Sequence, residues 1–355
     1  MPVTRKIYFI LALMLLLLTA GCRRSLPAQP NMRSVTDMAG RTVMVPVDIE
    51  SAFTTDPTSA IYLYTLAPDQ LLGWNYGLND IEKSVILEQY HNLPNFGMGD
   101  SINYEAVIAA GPTVAIHLTA IGSAAVEEAD NLSASLGIPV LVVSDQLADV
   151  PEVYRFLGEV FTNAQEHGEE LAAYAEDTFQ AIADMDIAEA DKLRVYYGNG
   201  PESLQTAPAG STHGQIIDAV NAVNAADLEL GSGSRMNISL EQLLAWDPDV
   251  IVVNGEPKAN LSGCAAAEAI LGNPDFAALK AVQNGAVYGA PNAPFSWVDR
   301  PHGPNRIVGI RWLAGLLYPD SLAYDVDSEV KEFFRLFYHV ELSDEQLEKI
   351  YQGKP

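Results

Sequence analysis

Two kinds of apolar pattern alternate along this chain. Short, nearly unbroken apolar runs at 51–54, 72–74, 113–117, 140–143, 193–197, 250–253 and 286–288 have no polar face. Such runs are typical of strands buried on both sides of a parallel sheet. Between them, apolar residues recur every three or four positions around 58–67, 103–110, 123–136 and 151–160, and again around 213–222, 239–246, 264–271, 305–317, 326–338 and 343–351. That spacing predicts helices, and the alternation predicts an α/β fold of parallel sheets flanked by helices.

The pattern also repeats. Residues 103–117 (NYEAVIAAGPTVAIH) align with 239–253 (SLEQLLAWDPDVIVV) at an offset of 136, matching Glu105 to Glu241, Ala109 to Ala245, Pro112 to Pro248 and Val114 to Val250. Each copy reads as a short amphipathic helix, a Pro-marked turn and a buried strand, so the chain is expected to hold two similar α/β lobes. Between them Val160, Ala164, His167, Leu171, Tyr174, Thr178, Ile182 and Met185 keep helical spacing. A single helix over 162–188, about 40 Å long, is predicted to join the lobes and to limit hinge motion. This divides the chain into a lobe at 35–160, a connecting helix at 161–190 and a second lobe at 191–355.

The N-terminus has a different character. Arg5 and Lys6 precede an apolar run over 7–20, too short to span a bilayer, which takes about 20 residues, and well sized for a secretion signal. Leu18-Thr19-Ala20-Gly21-Cys22 resembles a lipobox, with Thr19 a departure from its usual leucine. The resemblance implies a signal peptide at 1–21, lipidation of Cys22 and a polar, Pro-containing tether at 22–34. The expected location is extracytoplasmic, held to the membrane by lipid alone.

Charge and cysteines narrow the function. Removing the leader takes the formal net charge from −26 to −28, and no basic stripe is present to release counterions from nucleic acid. Only Cys22 and Cys264 occur, which excludes a disulfide framework and a cysteine-based zinc site. No GxSxG, GxxxxGK(S/T) or HExxH motif appears, so no enzyme is predicted.

Several segments carry a family resemblance. Val35-Thr36-Asp37 with Gly40-Arg41-Thr42-Val43 and Val45-Pro46 forms the first. Then come Ile138-Pro139-Val140, Ala281-Val282-Gln283-Asn284-Gly285-Ala286-Val287-Tyr288, and Phe295-Ser296-Trp297 with Arg300-Pro301. The last are Gly309-Ile310-Arg311-Trp312-Leu313-Ala314 and Tyr318-Pro319. In this order, residues 35–351 resemble the class III (cluster A, TroA-like) substrate-binding proteins of ABC importers, which deliver ferric siderophores, haem, cobalamin or chelated metals. The resemblance implies two lobes with a ligand cleft between them. It also implies no intrinsic cofactor, a metal chelate as cargo, and an ABC permease dimer with its cytoplasmic ATPase as partner. The binding protein itself is expected as a monomer. Glu105 and Glu241, one on each lobe, would dock onto the permease; helix-end stabilisation is the structural reading of the same pair.

Ligands of open α/β sheets bind beyond the C-terminal ends of the strands. Residues expected there are Tyr62, Tyr64, Trp74 and Tyr76 from the first lobe, and Tyr197, Arg235, Trp297, Arg300 and His302 from the second. Arginines with aromatic faces suit an anionic metal chelate through forked hydrogen bonds and stacking. His117 and His213 are expected to face each other across the cleft as candidate metal ligands. A ferric-siderophore-type complex is the first expectation, then a nickel or cobalt chelate, then cobalamin or haem.

Overall fold

The computed structural model describes residues 31–229, 235–255 and 262–353. The leader, Cys22 and most of the tether lie outside the described residues. Strands β1 (Met32–Thr36) and β2 (Thr42–Pro46) form an antiparallel hairpin. Asp37 closes its turn, accepting the Arg41 amide at 3.0 Å and the Arg41 guanidinium at 2.7 Å. The same carboxylate accepts the Val142 amide and so ties the hairpin to the first sheet.

That sheet is parallel, in the order β3 (Ala52–Thr54), β4 (Val114–Thr119), β5 (Val140–Ser144). The second is also parallel. It contains β6 (Arg194–Gly198), β8 (Val223–Asn224), β10 (Val250–Val253) and β11 (Val287–Gly289), in the order β11-β10-β6-β8. A small antiparallel pair, β7 (Gln205–Thr206) and β9 (Met236–Asn237), stands beside it. Every residue of β5 and β10 is buried, as expected of strands covered on both faces.

Helices α1 (Pro57–Leu66), α2 (Tyr104–Ala110), α3 (Ser123–Leu136), α4 (Val150–Val160) and α5 (Gln165–Ala183) occupy the first half. The second half holds α6 (Gln215–Ala219), α7 (Leu240–Trp246), α8 (Gly263–Gly272), α9 (Asn305–Leu317), α10 (Val326–Tyr338) and α11 (Asp344–Tyr351). The repeat is reproduced in backbone detail. Helices α2 and α7 are each seven residues long, and each is capped by a side chain, Asn103 on the Ala106 amide and Ser239 on the Gln242 amide. Both end in the left-handed region, at Gly111 (φ 68°) and Asp247 (φ 42°). The 136-residue offset carries from helix through turn to strand.

Three predicted elements differ, the first being the helix over 213–222, of which only Gln215–Ala219 is helical. Residues 72–74 are not a strand. Gly73 has no room for a side chain, since a Cβ there would lie 2.3 Å from the Pro94 carbonyl oxygen. The segment instead exchanges bonds with a loop, Trp74 N to Pro94 O and Phe96 N to Trp74 O. The connecting helix is also shorter than 162–188. Asn163 in the left-handed region (φ 68°) separates α4 from α5, and the 19 residues of α5 span about 28 Å. Its predicted apolar face is real: Leu171, Tyr174, Thr178 and Ile182 are buried.

The two halves share one core. Helix α1 is buried all round, nine of its ten residues, because it lies between the first sheet and the C-terminal helices. Tyr64 meets Tyr338, Tyr154 meets Phe337, and Trp74 meets Phe295. Helix α5 is clamped to the C-terminal helices by Arg311. The buried guanidinium donates to Thr178 Oγ1 at 2.8 Å and Asp177 at 2.7 Å, lies 3.3 Å from Glu329, and sits over the Tyr174 and Tyr324 rings.

Candidate functional site

The segments that leave the C-terminal ends of the two sheets meet. Gln215 of α6 donates to Gln146 Oε1 at 2.8 Å and accepts the Leu147 amide at 3.3 Å. Arg306, at the start of α9, donates to Thr212 O and Gln215 Oε1, and reaches Asp145 O at 3.4 Å. Residues 145–147 directly follow β5. The two halves are therefore tied by polar contacts here, and Arg306 is fully buried among them.

The second-lobe wall is organised around Asp299, which is completely buried. Its carboxylate pairs with His213 Nδ1 and accepts from Arg235 at 3.1 Å. Tyr197, on β6, donates to it at 3.5 Å, and the Arg300 Nε lies 3.9 Å away. Burial alone would raise the Asp299 carboxyl, but His213, Arg235 and Arg300 together hold it below the ordinary range. Arg300 is the most exposed member, at 42 %, and its guanidinium lies 3.4 Å from His213 Nε2. His302 packs edge-on against His213, with ring centres 5.4 Å apart. Burial, then the nearby Arg306, pushes the His302 imidazole down to about 4, so it is neutral at pH 7.

The loop that presents Asp299 and Arg300 is held from behind. Backbone amides of Val298 and Asp299 donate to Ser296 Oγ, which donates to Asn254 Oδ1 at 3.0 Å. Gly309 lets helix α9 approach the same loop. A Cβ there would fall 1.8 Å from the Trp297 carbonyl oxygen, so only hydrogen fits.

The first-lobe wall is different. Asp56 caps α1, accepting the Thr58 and Ser59 amides at 2.8 and 3.0 Å. His117, near the end of β4, has both ring nitrogens engaged, Nδ1 with Thr55 Oγ1 at 3.0 Å and Nε2 with Glu128 at 3.2 Å. His213, on the other wall, packs against His302. Among the described residues no group of three or more His, Cys, Asp and Glu side chains could hold a metal ion.

Of the residues expected to line the cleft, Arg235, Arg300, His213 and His302 come together, while Tyr197, at 1 % exposed, lies in the core and reaches the group only through its hydroxyl on Asp299. The first-lobe aromatics and Trp297 are core instead. Tyr62, Tyr64, Trp74 and Trp297 are at most 3 % exposed, because α1 has no solvent face and the 295–298 segment packs under α9. Tyr64 Oη accepts the Leu87 amide, Trp74 Nε1 donates to Tyr90 O, and Trp297 Nε1 donates to Ala293 O. Tyr76 is partly buried and donates to Glu82 at 2.8 Å. Asp299 and Arg306 are not among the residues the sequence points to. The signal was there for Arg306: α9 reads as apolar on every side, so a cation within it must be buried and bonded.

Two lobes of parallel sheet flanked by helices have known counterparts. The sequence profile described as periplasmic binding protein matches residues 62–294. The chain belongs to that family. An ABC transporter solute-binding protein from Sulfurospirillum deleyianum DSM 6946 is 29 % identical, with a TM-score of 0.80 over 90 % of this chain and 99 % of that one. The molybdate periplasmic binding protein MolA of Haemophilus influenzae, bound to molybdate, is 22 % identical, with a TM-score of 0.68 over 88 % and 99 %. Helicobacter pylori CeuE, in a complex with nickel and histidine, is 18 % identical, with a TM-score of 0.66 over 90 % and 99 %. The last two likenesses establish the fold alone. No curated protein matches the chain in sequence. This periplasmic binding protein is thus an extracytoplasmic solute-binding component of ABC transport, with two lobes of parallel sheet flanked by helices. Among the described residues no helix is long and apolar enough to cross a membrane.

Proposed function

We propose that this periplasmic binding protein captures an anionic metal complex, with a ferric-siderophore-type complex first, and passes it to an ABC permease. One observation carries the reading: Arg235 and Arg300 gather with His213 around the buried carboxylate of Asp299, with Arg306 nearby. Guanidinium groups suit planar oxyanions such as carboxylate or catecholate, and so a ligand carrying negative charge. The metal would arrive already chelated, as a site without a full set of protein ligands requires. Chelates of nickel or cobalt are the second reading. What favours it is His213, whose Nδ1 is held by a carboxylate in the manner of many metal-binding imidazoles. Cobalamin and haem follow, since the aromatic faces that would stack on a macrocycle lie in the core.

Transport would use both lobes. Glu105 and Glu241 are exposed at equivalent positions in the first turns of α2 and α7. Two like charges at matching sites fit a permease dimer with two-fold symmetry. The protein would act as a monomer, anchored by lipid at Cys22, with lobes divided near 160 and 190. The test of the ligand is native mass spectrometry with elemental analysis of the protein purified from its own host. Retention of a metal complex supports the reading. Retention of a metal-free neutral solute contradicts it.

A further inference from the structure

Asp299 is the carboxylate at the centre of the second-lobe wall. It is fully buried, yet it gathers side chains from separate stretches of chain: His213, Arg235 and Tyr197, with Arg300 beside it. A carboxylate bonded to a guanidinium acts as an acceptor, so the hydrogen between it and His213 sits on imidazole Nδ1. Nε2 is then the nitrogen that faces Arg300, at 3.4 Å. Guanidinium only donates, so this neighbour matches a lone pair on Nε2 and not a second N–H.

We propose that Asp299 is a positioning residue for ligand capture: it holds His213 as the Nδ1–H tautomer and thereby presents the Nε2 lone pair at the cleft beside Arg300. The site then offers two chemistries side by side. The lone pair completes an open coordination position on a metal, and the guanidinium takes an oxyanion of its chelator. This rests on the anionic metal complex proposed above. It also makes a counterintuitive demand. By charge alone, a buried carboxylate repels an anionic ligand, so neutralising it should tighten binding. A carboxylate that acts by holding His213 predicts the opposite, because partners behind a ligating imidazole are commonly worth 10–100-fold in affinity.

The test uses long-range nitrogen–proton correlation spectra of the imidazoles in the ligand-free protein, then titration with the nickel nitrilotriacetate anion as a probe with open coordination positions. In the wild type His213 Nε2 should show the shift of an unprotonated nitrogen, and in Asp299→Asn it should move toward a mixture of tautomers. Asp299→Asn should bind the probe at least about tenfold more weakly, and should add less than about twofold in a His213→Gln background. Equal or tighter binding by Asp299→Asn overturns the proposal. So does a protonated Nε2 in the wild type, a result that needs no variant to fold. An unprotonated Nε2 with no wild-type binding of the probe would overturn the metal-complex reading instead, and with it the ligand half of this one.

Discussion

The two copies of the helix–turn–strand repeat share a backbone and differ in what surrounds it. In the first copy Tyr104 and Ile108 stand in solvent, at 36 % and 52 % exposed. Their counterparts in the second, Leu240 and Leu244, pack against the second lobe's core. The cleft ends differ more. The first lobe contributes a histidine already committed to Thr55 and Glu128, whereas the second contributes the arginines and histidines around Asp299. None of the second-lobe residues belongs to the aligned copy; they come from 213, 235 and the 299–306 stretch. The repeat supplies scaffold and symmetric charges, and the chemistry sits in what was inserted around it.

The largest expected effect probes what the copies share. Reversing both charges, Glu105→Lys with Glu241→Lys, should abolish uptake in cells while ligand affinity stays within about twofold; loss of binding would mean the glutamates serve the fold. Next comes a feature found only behind the second-lobe wall. Gly309→Ala drives a methyl into the Trp297 carbonyl and should cost about 1–3 kcal/mol in denaturant unfolding. It should also weaken ligand binding by shifting Asp299 and Arg300; a stable variant with intact binding would dissolve that link.

Acid should likewise strike through the second lobe. His302 in the folded protein titrates at about 4, against an ordinary value near 6.5. As pH falls below 6.5 the unfolded chain takes up a proton that the folded chain refuses until about pH 4, so stability drops through that window. At pH 5 this residue accounts for about 2 kcal/mol, and His302→Gln should flatten that part of the stability curve. A curve of unchanged slope would place the acid sensitivity elsewhere. The smallest effect separates the two helices. Leu244→Ser should cost about 1–2 kcal/mol from lost burial, whereas Ile108→Ser should stay within about 0.5 kcal/mol. Equal costs would erase the asymmetry between the copies.

Most of the scaffold was legible in the sequence because buried strands and amphipathic helices write their periods directly. The ends of α3, α9 and α10 fall where the periodicity puts them. What failed were features decided by contacts across the chain. Gly73 gave no local sign that Pro94 would press on it, and the helical spacing through Asn163 concealed a left-handed break. At the site, Arg235 and Arg300 read in the sequence only as cations in segments between strands, and it is the fold that gathers them at Asp299. Tyr62, Tyr64 and Trp74 were misplaced because an aromatic near a strand end looks the same in sequence whether it lines a cleft or fills a core. Asp299 was visible only as a neighbour of Arg300; its role depends on His213, 86 residues away.

The claim that the second lobe holds the ligand is tested most directly by one comparison of retained cargo. Protein purified from its host would be analysed for bound metal per chain, as wild type, as Arg235→Ala with Arg300→Ala, and as His117→Ala. Two lost charge-assisted contacts at about 1.5–3 kcal/mol each should reduce affinity by at least about a hundredfold and empty the double arginine variant, while His117→Ala keeps its metal at the wild-type level. Metal retained without the two arginines, or lost with His117, would contradict the account.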